Sequence, residues 1–593
     1  MVRVIQRPLP ASWQLDSLPL ALQRVYAARG VVSEDSLALN LVHLLPYHSL
    51  KGIDAAVRLL VDAIYQQQQI LVIGDFDVDG AASTAMVIRA LRMMGCYRVD
   101  FLVPNRFDFG YGLTPELVDE ACRQQNKPDL IITVDNGIAA VEGVEAAQAL
   151  GIKVLVTDHH LPGDELPNAD AIVNPAQPGC AFPSKVACGC AVAFYLMLAL
   201  RAHLKDAGFF QTEVPNLGGL LDLVALATVA DVVPLDYNNR ILVEQGLRRI
   251  RSGHTSVGIM ALMQVAGRNP RRAASSDFGF ILGPRLNAAG RLDDMSLGIE
   301  CLLTDDPDLA LEMAQQLDDL NRDRKKIEAD MTDDAQRFID EFDTQQALPH
   351  GLTLYHPGWH QGVIGILASR IKDKVHRPVI AFAAAESGWL KGSARSIPGF
   401  HMRDAIDLLD KRYPGILVKF GGHAMAAGMT IQEQRFDEFR GGFSQICREQ
   451  LSDTQLTRTL EIDGQLQASE FVPEFAERLH HAGPWGQSFP EPLFQGRFEL
   501  AQQRVVGGKH LKLVLLPKWP DEMGTGNITA TMLDAIWFNI DPALWPNEDA
   551  EEAEIVFQLD INEYRGRRSI QLLVRHLRLL ESLRVSEKSN QDR

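Results

Sequence analysis

At 593 residues the chain is too long for one hydrophobic core, and three or four domains are expected. Its 46% hydrophobic and 23% charged residues exclude a disordered or fibrous chain, and a net charge of −18 excludes a generally basic nucleic-acid coat. A polyanionic substrate would have to be held by local basic patches or by bound cations.

The opening stretch MVRVIQRPLPASWQL lacks the unbroken apolar core of a signal peptide, and residues 1–45 read as an N-terminal extension. From about residue 50 to 235, short aliphatic runs alternate with helix-length amphipathic segments, the pattern of a parallel α/β sheet. Three runs end in acids. ILVIGDFDVDG carries Asp75, Asp77 and Asp79; DLIITVDNG carries Asp135; KVLVTDHH carries Asp158, His159 and His160. Ligand sites of open α/β sheets lie beyond the carboxyl ends of the strands, so these acids are expected to converge. A further acid, Asp231, ends the apolar segment LLDLVALATVADVVPL. The longest uncharged apolar run, Val186 to Leu200, is short of the roughly 20 residues of a membrane span and reads as a buried helix. Seven cysteines, an odd and sparse count, fit a reducing cytosol. Cys180, Cys188 and Cys190 cluster without a fourth ligand at zinc-site spacing and read as buried thiols.

Between Asp308 and Phe342, the residues Met313, Leu317, Leu320, Ile327, Met331, Ala335, Phe338 and Phe342 recur at spacings of three or four, apart from one charged turn at Arg324. This predicts a helix of roughly 50 Å bridging two domains, with its charged face in water. A second α/β unit follows at about 350–450. From about 455 the pattern becomes alternating strands: Leu511, Leu513 and Leu515 behind the turn VGGKH, then Phe557, Leu559 and Ile561 before YRGRR. That predicts an antiparallel β domain of OB type. The final SLRVSEKSNQDR reads as a disordered tail.

Three aspartates in five positions need a reason to be together. At an effective dielectric of about 20, two carboxylates roughly 4 Å apart repel by on the order of 4 kcal/mol. DFDVDG begins like a calcium loop, but the twelfth position is Met86 and a strand precedes it, so the EF-hand reading fails. Any one of these acids could simply cap a helix. Taken with His159, the set suits manganese or magnesium, and carboxylates around two such ions form the clamp used for in-line phosphoryl transfer.

DFDVDG, VDNG, TDHH and ATVADVVPL resemble, in order, the four signature motifs of the DHH phosphoesterase superfamily. The resemblance continues through GPRLNAAGRLDD and the glycine-rich GGHAMAAG of the DHH-associated domain. With the β domain it covers nearly the whole chain and points to the bacterial single-strand-specific DNA exonucleases. It implies a multidomain α/β fold: a parallel-sheet catalytic domain at 46–304, a connecting helix at 305–345, a smaller α/β DHH-associated substrate-binding domain at 346–452, an OB-like nucleic-acid-binding domain at 453–580 and a tail at 581–593.

The same resemblance implies that Asp77, Asp79, Asp135, His159 and Asp231 hold two manganese or magnesium ions, with Asp135 as a bridge. Asp75 and Asp158 would ligate or orient from just outside, and His160 would contact the scissile phosphate. The implied reaction is 5′→3′ hydrolysis of single-stranded DNA to 5′-mononucleotides, in repair and recombination. The implied setting is cytoplasmic, as a monomer beside a single-strand-binding protein and a helicase. Arg106 beside Phe107, Phe109 and Tyr111 combines a phosphate-binding cation with stacking faces. Ser393 and Arg395 could form an anion pocket that, with Arg106, grips a terminal 5′-phosphate. Gly421, Gly422 and His423 either let a backbone approach a phosphate or form a tight turn. Arg285 and Asn287 lie between domains as candidate DNA contacts. Arg504, Lys509, Lys512, Arg565, Arg567 and Arg568 would track a strand along the β domain, or are a solvated face. Two rivals remain. A small-substrate DHH phosphodiesterase or pyrophosphatase is disfavoured by the extra β domain, and a non-cutting scaffold by the filled motif positions.

Overall fold

The computed structural model describes residues 2–105, 112–124, 126–345, 348–518, 532–541, 543–547, 549–564 and 566–580. Arg106, Phe107, Phe109, Tyr111, Arg565 and the tail at 581–593 lie outside the described residues. Strand β1 (Val2–Gln6) finds its partner more than 450 positions along the chain. The first α/β sheet follows: β2 (Ile70–Gly74), β3 (Val99–Leu102), β4 (Leu130–Val134), β5 (Lys153–Thr157) and β6 (Ala171–Val173). All pair in parallel, in the order β3-β2-β4-β5-β6. Every residue of β2 and β4 is buried, as the continuous aliphatic runs require of strands covered on both faces. The chain moves to one side of β2 with β3 and to the other with β4. The sheet therefore reverses direction between β2 and β4, the position at which such sheets open a crevice beyond their carboxyl ends.

One face of this sheet is covered by the helix Val78–Met93, buried along most of its length, which packs against Gly189–Asp206, Leu221–Ala230 and Ser296–Leu303. The apolar run around Val186 accordingly lies in the buried helix Gly189–Asp206. Among the described residues no helix is long and apolar enough to cross a membrane.

The helix Pro307–Gln345 joins the two α/β units. Ala310, Ala314 and Leu317 belong to the large core that includes Ile70, Leu91 and Leu226, whereas Met331, Ala335 and Ile339 belong to the core around Leu352, Trp359 and Leu367. Two details differ from the sequence pattern. Phe338 is 37% exposed and Ile339 takes its inward position. Arg324 is no solvated interruption: it is buried, and pairs with Glu328 at 2.5 Å and Asn321 at 2.7 Å. Glu328 also accepts from Arg370 at 2.7 Å. A polar layer thus separates two apolar halves of one helix.

The second unit has β7 (Leu352–Tyr355), β8 (Val379–Ala384), β9 (Trp389–Arg395), β10 (Leu417–Gly422) and β11 (Ala426–Gln432), in the order β10-β11-β9-β8-β7. β12 (Arg458–Ile462) pairs in parallel with β1, and next to it the Arg29 guanidinium makes a buried ion pair with Asp463 at 2.7 Å. The segment behind β12, including the helix Pro473–His481, packs on both the N-terminal extension and the first α/β unit: Trp485 stacks on Tyr26, and the Arg240 guanidinium lies 4.4 Å from the Phe489 ring centre. The chain ends in a closed barrel of β13 (Phe494–Val506), β14 (His510–Pro517), β15 (Leu533–Phe538), β16 (Glu552–Tyr564) and β17 (Arg567–Leu580), ordered β13-β14-β15-β17-β16. Among the described residues the one parallel contact of the barrel, β15 with β17, closes it as an OB-type barrel. Leu511, Leu513 and Leu515 alternate into its interior as their spacing predicts.

Candidate active site

The loop after β2 is held tight by two glycines. A Cβ on Gly74 would collide with the Thr84 hydroxyl, and one on Gly80 with the Asp75 carbonyl. Asp77 caps the following helix, its carboxylate accepting from the Gly80 amide at 3.1 Å. The capping role anticipated for single acids is therefore real for Asp77, alongside its place in the cluster. Asp79 is buried on the first turn of that helix, and its carboxylate accepts from the Gly189 and Cys190 amides at 2.7 and 2.8 Å. Those amides open the helix Gly189–Asp206, whose N-terminal dipole favours the negative charge.

Asp135 follows β4 in the left-handed region, φ 62°. A Cβ on Gly189 would stand only 2.7 Å from that of Asp135, so the glycine is what lets the helix approach the carboxylate. Asn136 braces the same turn, donating to the Ile73 and Val134 carbonyls at 3.1 and 2.9 Å. Asp231 comes from the end of the helix Leu221–Ala230 rather than from a strand.

These acids meet at His159. Its Nε2 lies 3.1 Å from Asp135, 3.5 Å from Asp231 and 3.8 Å from Asp79. Asp75, Asp77 and Asp135 form an adjoining group with oxygens within 4.8 Å of one another. Burial, and then the neighbouring acids, push the Asp135 and Asp231 carboxyls well above the usual range and Asp77 in the same direction. His159 is pushed down, chiefly by burial, and so favours the neutral imidazole that ligates metals. Its Nε2 is buried without a hydrogen bond. Several acids driven toward neutrality by each other, around a buried imidazole nitrogen with no hydrogen bond, are what a cation would resolve. The oxygen-rich donor set fits manganese or magnesium.

Asp158 does something else. One oxygen accepts from the His159 and His160 amides at 2.7 and 3.1 Å and lies 2.8 Å from His160 Nδ1; the other accepts from the Ile138 amide at 2.9 Å. Burial alone would raise its carboxyl, but the His160 hydrogen bond and charge outweigh it and hold the acid low. For His160 burial acts downward, and the Asp158 bond overrides it to raise the imidazole. Asp158 is thus hydrogen-bonded through both oxygens to the backbone and ring around the histidine pair. Asn174 assists by donating to the His160 carbonyl at 2.9 Å.

The second α/β unit faces this centre. His423 lies 6.3 Å from the His160 ring, 18° from parallel. Gly421, Gly428 and Ser393 stand in register across β10, β11 and β9, so no tight turn contains Gly421 and Gly422; they end a strand. Gly421 and Gly428 have open space where a side chain would be, giving a bare backbone floor. Arg395 donates to Ser393 at 3.2 Å, and both lie over Gly365 at the start of the helix Ile364–Val375.

Arg285 has a structural occupation: its guanidinium pairs with Asp318 of the connecting helix at 2.8 Å and donates to the Ile281 carbonyl at 2.7 Å. Asn287 is half-buried on the helix Gly283–Leu292, whose Gly290 sits against the Phe76 carbonyl of the first acidic loop. On the barrel, Lys512 pairs with Asp534 and Arg568 with Glu477. Sequence reasoning passed over the roles of Asn136, Asn174 and Gly189: Asn136 lies inside VDNG and Gly189 between Cys188 and Cys190, whereas Asn174 stands 14 positions beyond His160 and carries no such signal.

Family models match the chain in three places: the DHH family N-terminal domain at residues 69–228, the DHHA1 domain at 349–449 and the RecJ OB domain at 462–576. The single-stranded-DNA-specific exonuclease RecJ of Escherichia coli is 53% identical over 94% of this chain and 95% of its own length. The chain belongs to the RecJ family. The RecJ of Dickeya dadantii is 52% identical over 96% of this chain and 98% of its own. The crystal structure of Thermus thermophilus RecJ in complex with Mn2+ matches with a TM-score of 0.78 at 29% identity, covering 98% of this chain and 80% of that one; the Mg2+ complex matches at 0.73. Both ions belong to the hard class that the acidic cluster favours.

Proposed function

We infer that the chain is a metal-dependent exonuclease that hydrolyses single-stranded DNA. The observation that carries this is the meeting of His159 with Asp79, Asp135 and Asp231 within 3.8 Å, at the sheet's reversal point and facing His423 across a groove. Asp75, Asp77, Asp79, Asp135, His159 and Asp231 would hold two divalent cations. When bound, such ions polarise phosphoryl oxygens and lower the pKa of water.

The remaining work falls to the chain's own groups. His160, kept basic by Asp158, presents a hydrogen-bond donor to a phosphate oxygen as charge develops there. The glycine floor of β10 and β11 admits a sugar–phosphate backbone closely, while Ser393 and Arg395 fix a terminal 5′-phosphate. Cutting proceeds 5′→3′ and releases 5′-mononucleotides, so each product strand again begins with a 5′-phosphate. The groove between the units takes one strand. We place the activity in DNA repair and recombination in the cytoplasm, by a monomer working with a single-strand-binding protein and a helicase. The domain limits at about 46, 304, 345, 452 and 580 are proposed with it.

One oligonucleotide labelled at either end, with manganese or chelator, tests the reading. A 5′ label should appear as mononucleotide from the first turnover, and chelator should stop it. Preference for a dinucleotide over a long strand would favour the small-substrate phosphodiesterase instead.

A further inference from the structure

Phe280 is 78% exposed, unusual for a large aromatic side chain away from any established contact. It sits in the middle of a five-residue π-helical segment, Phe278–Leu282, inserted just before the helix Gly283–Leu292. Such one-turn distortions are costly and concentrate at functional sites. The segment lies against the last turn of the helix Leu221–Ala230: a Cβ on Gly279 would meet Val229 at 3.5 Å, and one on Gly283 would meet Ala230 at 3.5 Å. That helix ends in Asp231, a member of the metal cluster.

A second irregularity stands at the same place. Val232, immediately after Asp231, is 61% exposed and has φ 61°. A β-branched residue in the left-handed region is a steric outlier, and local packing gains nothing from a side chain so exposed. Two strained or distorted backbones therefore hold two apolar side chains in solvent: Val232 follows Asp231 of the cluster directly, and Phe280 belongs to the segment packed on the helix that ends at Asp231. The helix Gly283–Leu292 that follows the segment reaches the first acidic loop, where Gly290 lies against the Phe76 carbonyl.

We propose that Phe280, together with the exposed Val232, is a shelf on which a nucleobase of the single strand stacks as its phosphate enters the metal centre. The proposal rests on the exonuclease reading above. The occupant follows from what must pass here: a strand whose phosphate lies at Asp231 carries a base within one nucleotide of that residue. An exonuclease indifferent to sequence needs a contact every base can make, and an aromatic face provides it. A duplex would offer this shelf no free base face, so the contact also contributes to strand selectivity.

Abasic scanning decides it. A strand with a phosphorothioate at the 5′-terminal linkage, carrying one abasic site at successive positions from that end, is titrated with the full chain in manganese. In the wild-type protein an abasic site at one position is expected to weaken binding by about 5- to 150-fold. Phe280→Ala should weaken binding of the intact strand by a similar factor and make that abasic site cost nothing further, while Phe280→Trp keeps the wild-type profile. Val232→Gly relieves the backbone strain, and it should reduce the abasic penalty at the same position. Because Phe280 is so exposed, its removal leaves the fold intact. If the Phe280→Ala and abasic losses multiply at every position, the shelf is overturned while the exonuclease reading stands. If the wild-type chain neither binds nor cuts the intact strand, both fall.

Discussion

Asp135 joins two demands in one residue: a carboxylate amid other acids and a backbone at φ 62°. Asn adopts the left-handed region readily and matches the shape of Asp, so Asp135→Asn removes one charge with little backbone cost. Cleavage of single-stranded DNA in manganese is expected to fall by at least about a hundredfold, since even residues behind metal ligands cost 10- to 100-fold. In chelator its unfolding midpoint should equal or exceed that of the parent, because acid–acid repulsion is relieved. Asp135→Ala should unfold more easily than Asp135→Asn, by about 1–2 kcal/mol of left-handed strain. Near-normal turnover of Asp135→Asn would remove it from the metal set. Arg395 offers a second test at this scale. Loss of a charge-assisted contact of about 1.5–3 kcal/mol predicts a roughly 10- to 150-fold slower rate for Arg395→Ala on a 5′-phosphorylated strand. The deficit should shrink on a 5′-hydroxyl strand; equal slowing of both would make Arg395 a general backbone contact. Asp75, Asp77, Asp79 and Asp135 were legible because they stand directly behind buried strands, and Asp231 because it ends a long apolar segment, here a helix. Gly189, Asn136 and Asn174 were not, since they act through a missing Cβ or single hydrogen bonds that leave no periodic trace.

The connecting helix was legible as an element from its three-and-four spacing, and of its two misread positions the turn at Arg324 is the more informative. Arg324 looked like a break in an apolar face, yet it is buried against Glu328 and Asn321. Sequence periodicity counts apolar positions and cannot distinguish a solvated charge from one neutralised inside. Burial pushes the Arg324 guanidinium down while Glu328 holds it up, so the pair stands or falls together. Glu328→Ala is expected to destabilise the chain by about 3–5 kcal/mol, the cost of leaving a buried charge without its partner. The double replacement Arg324→Met with Glu328→Met should recover most of that loss. Denaturant titration followed by helix signal separates the cases. If the single and double variants lose stability equally, the layer acts through shape and not charge.

At the scale of the whole molecule, the parallel sheet and the barrel could be read from alternating patterns, but the link between the chain's two ends could not. β1 and β12 pair across more than 450 positions, and no local signal announces a partner so far away. The consequence concerns where the barrel can be removed. A cut near residue 452 looks like a domain boundary in the sequence, yet it takes away Asp463 from buried Arg29, Trp485 from Tyr26 and Phe489 from Arg240. Burying Trp485 and Phe489 alone is worth about 3–6 kcal/mol, against a usual domain stability of about 5–15 kcal/mol. Truncation after 452 is therefore expected to lower the melting temperature of the catalytic body and expose it to proteolysis. Truncation after residue 492 keeps the 458–492 segment and removes only the barrel Phe494–Leu580. That shorter loss should leave metal-dependent cleavage of short oligonucleotides near normal while weakening affinity for long single strands, whose extra phosphates and bases the barrel would have engaged. Melting curves and binding isotherms on short and long strands distinguish the two cuts. Equal melting temperatures would mean that the segment is a passive linker, and equal long-strand affinity with and without the barrel would remove it from the binding surface.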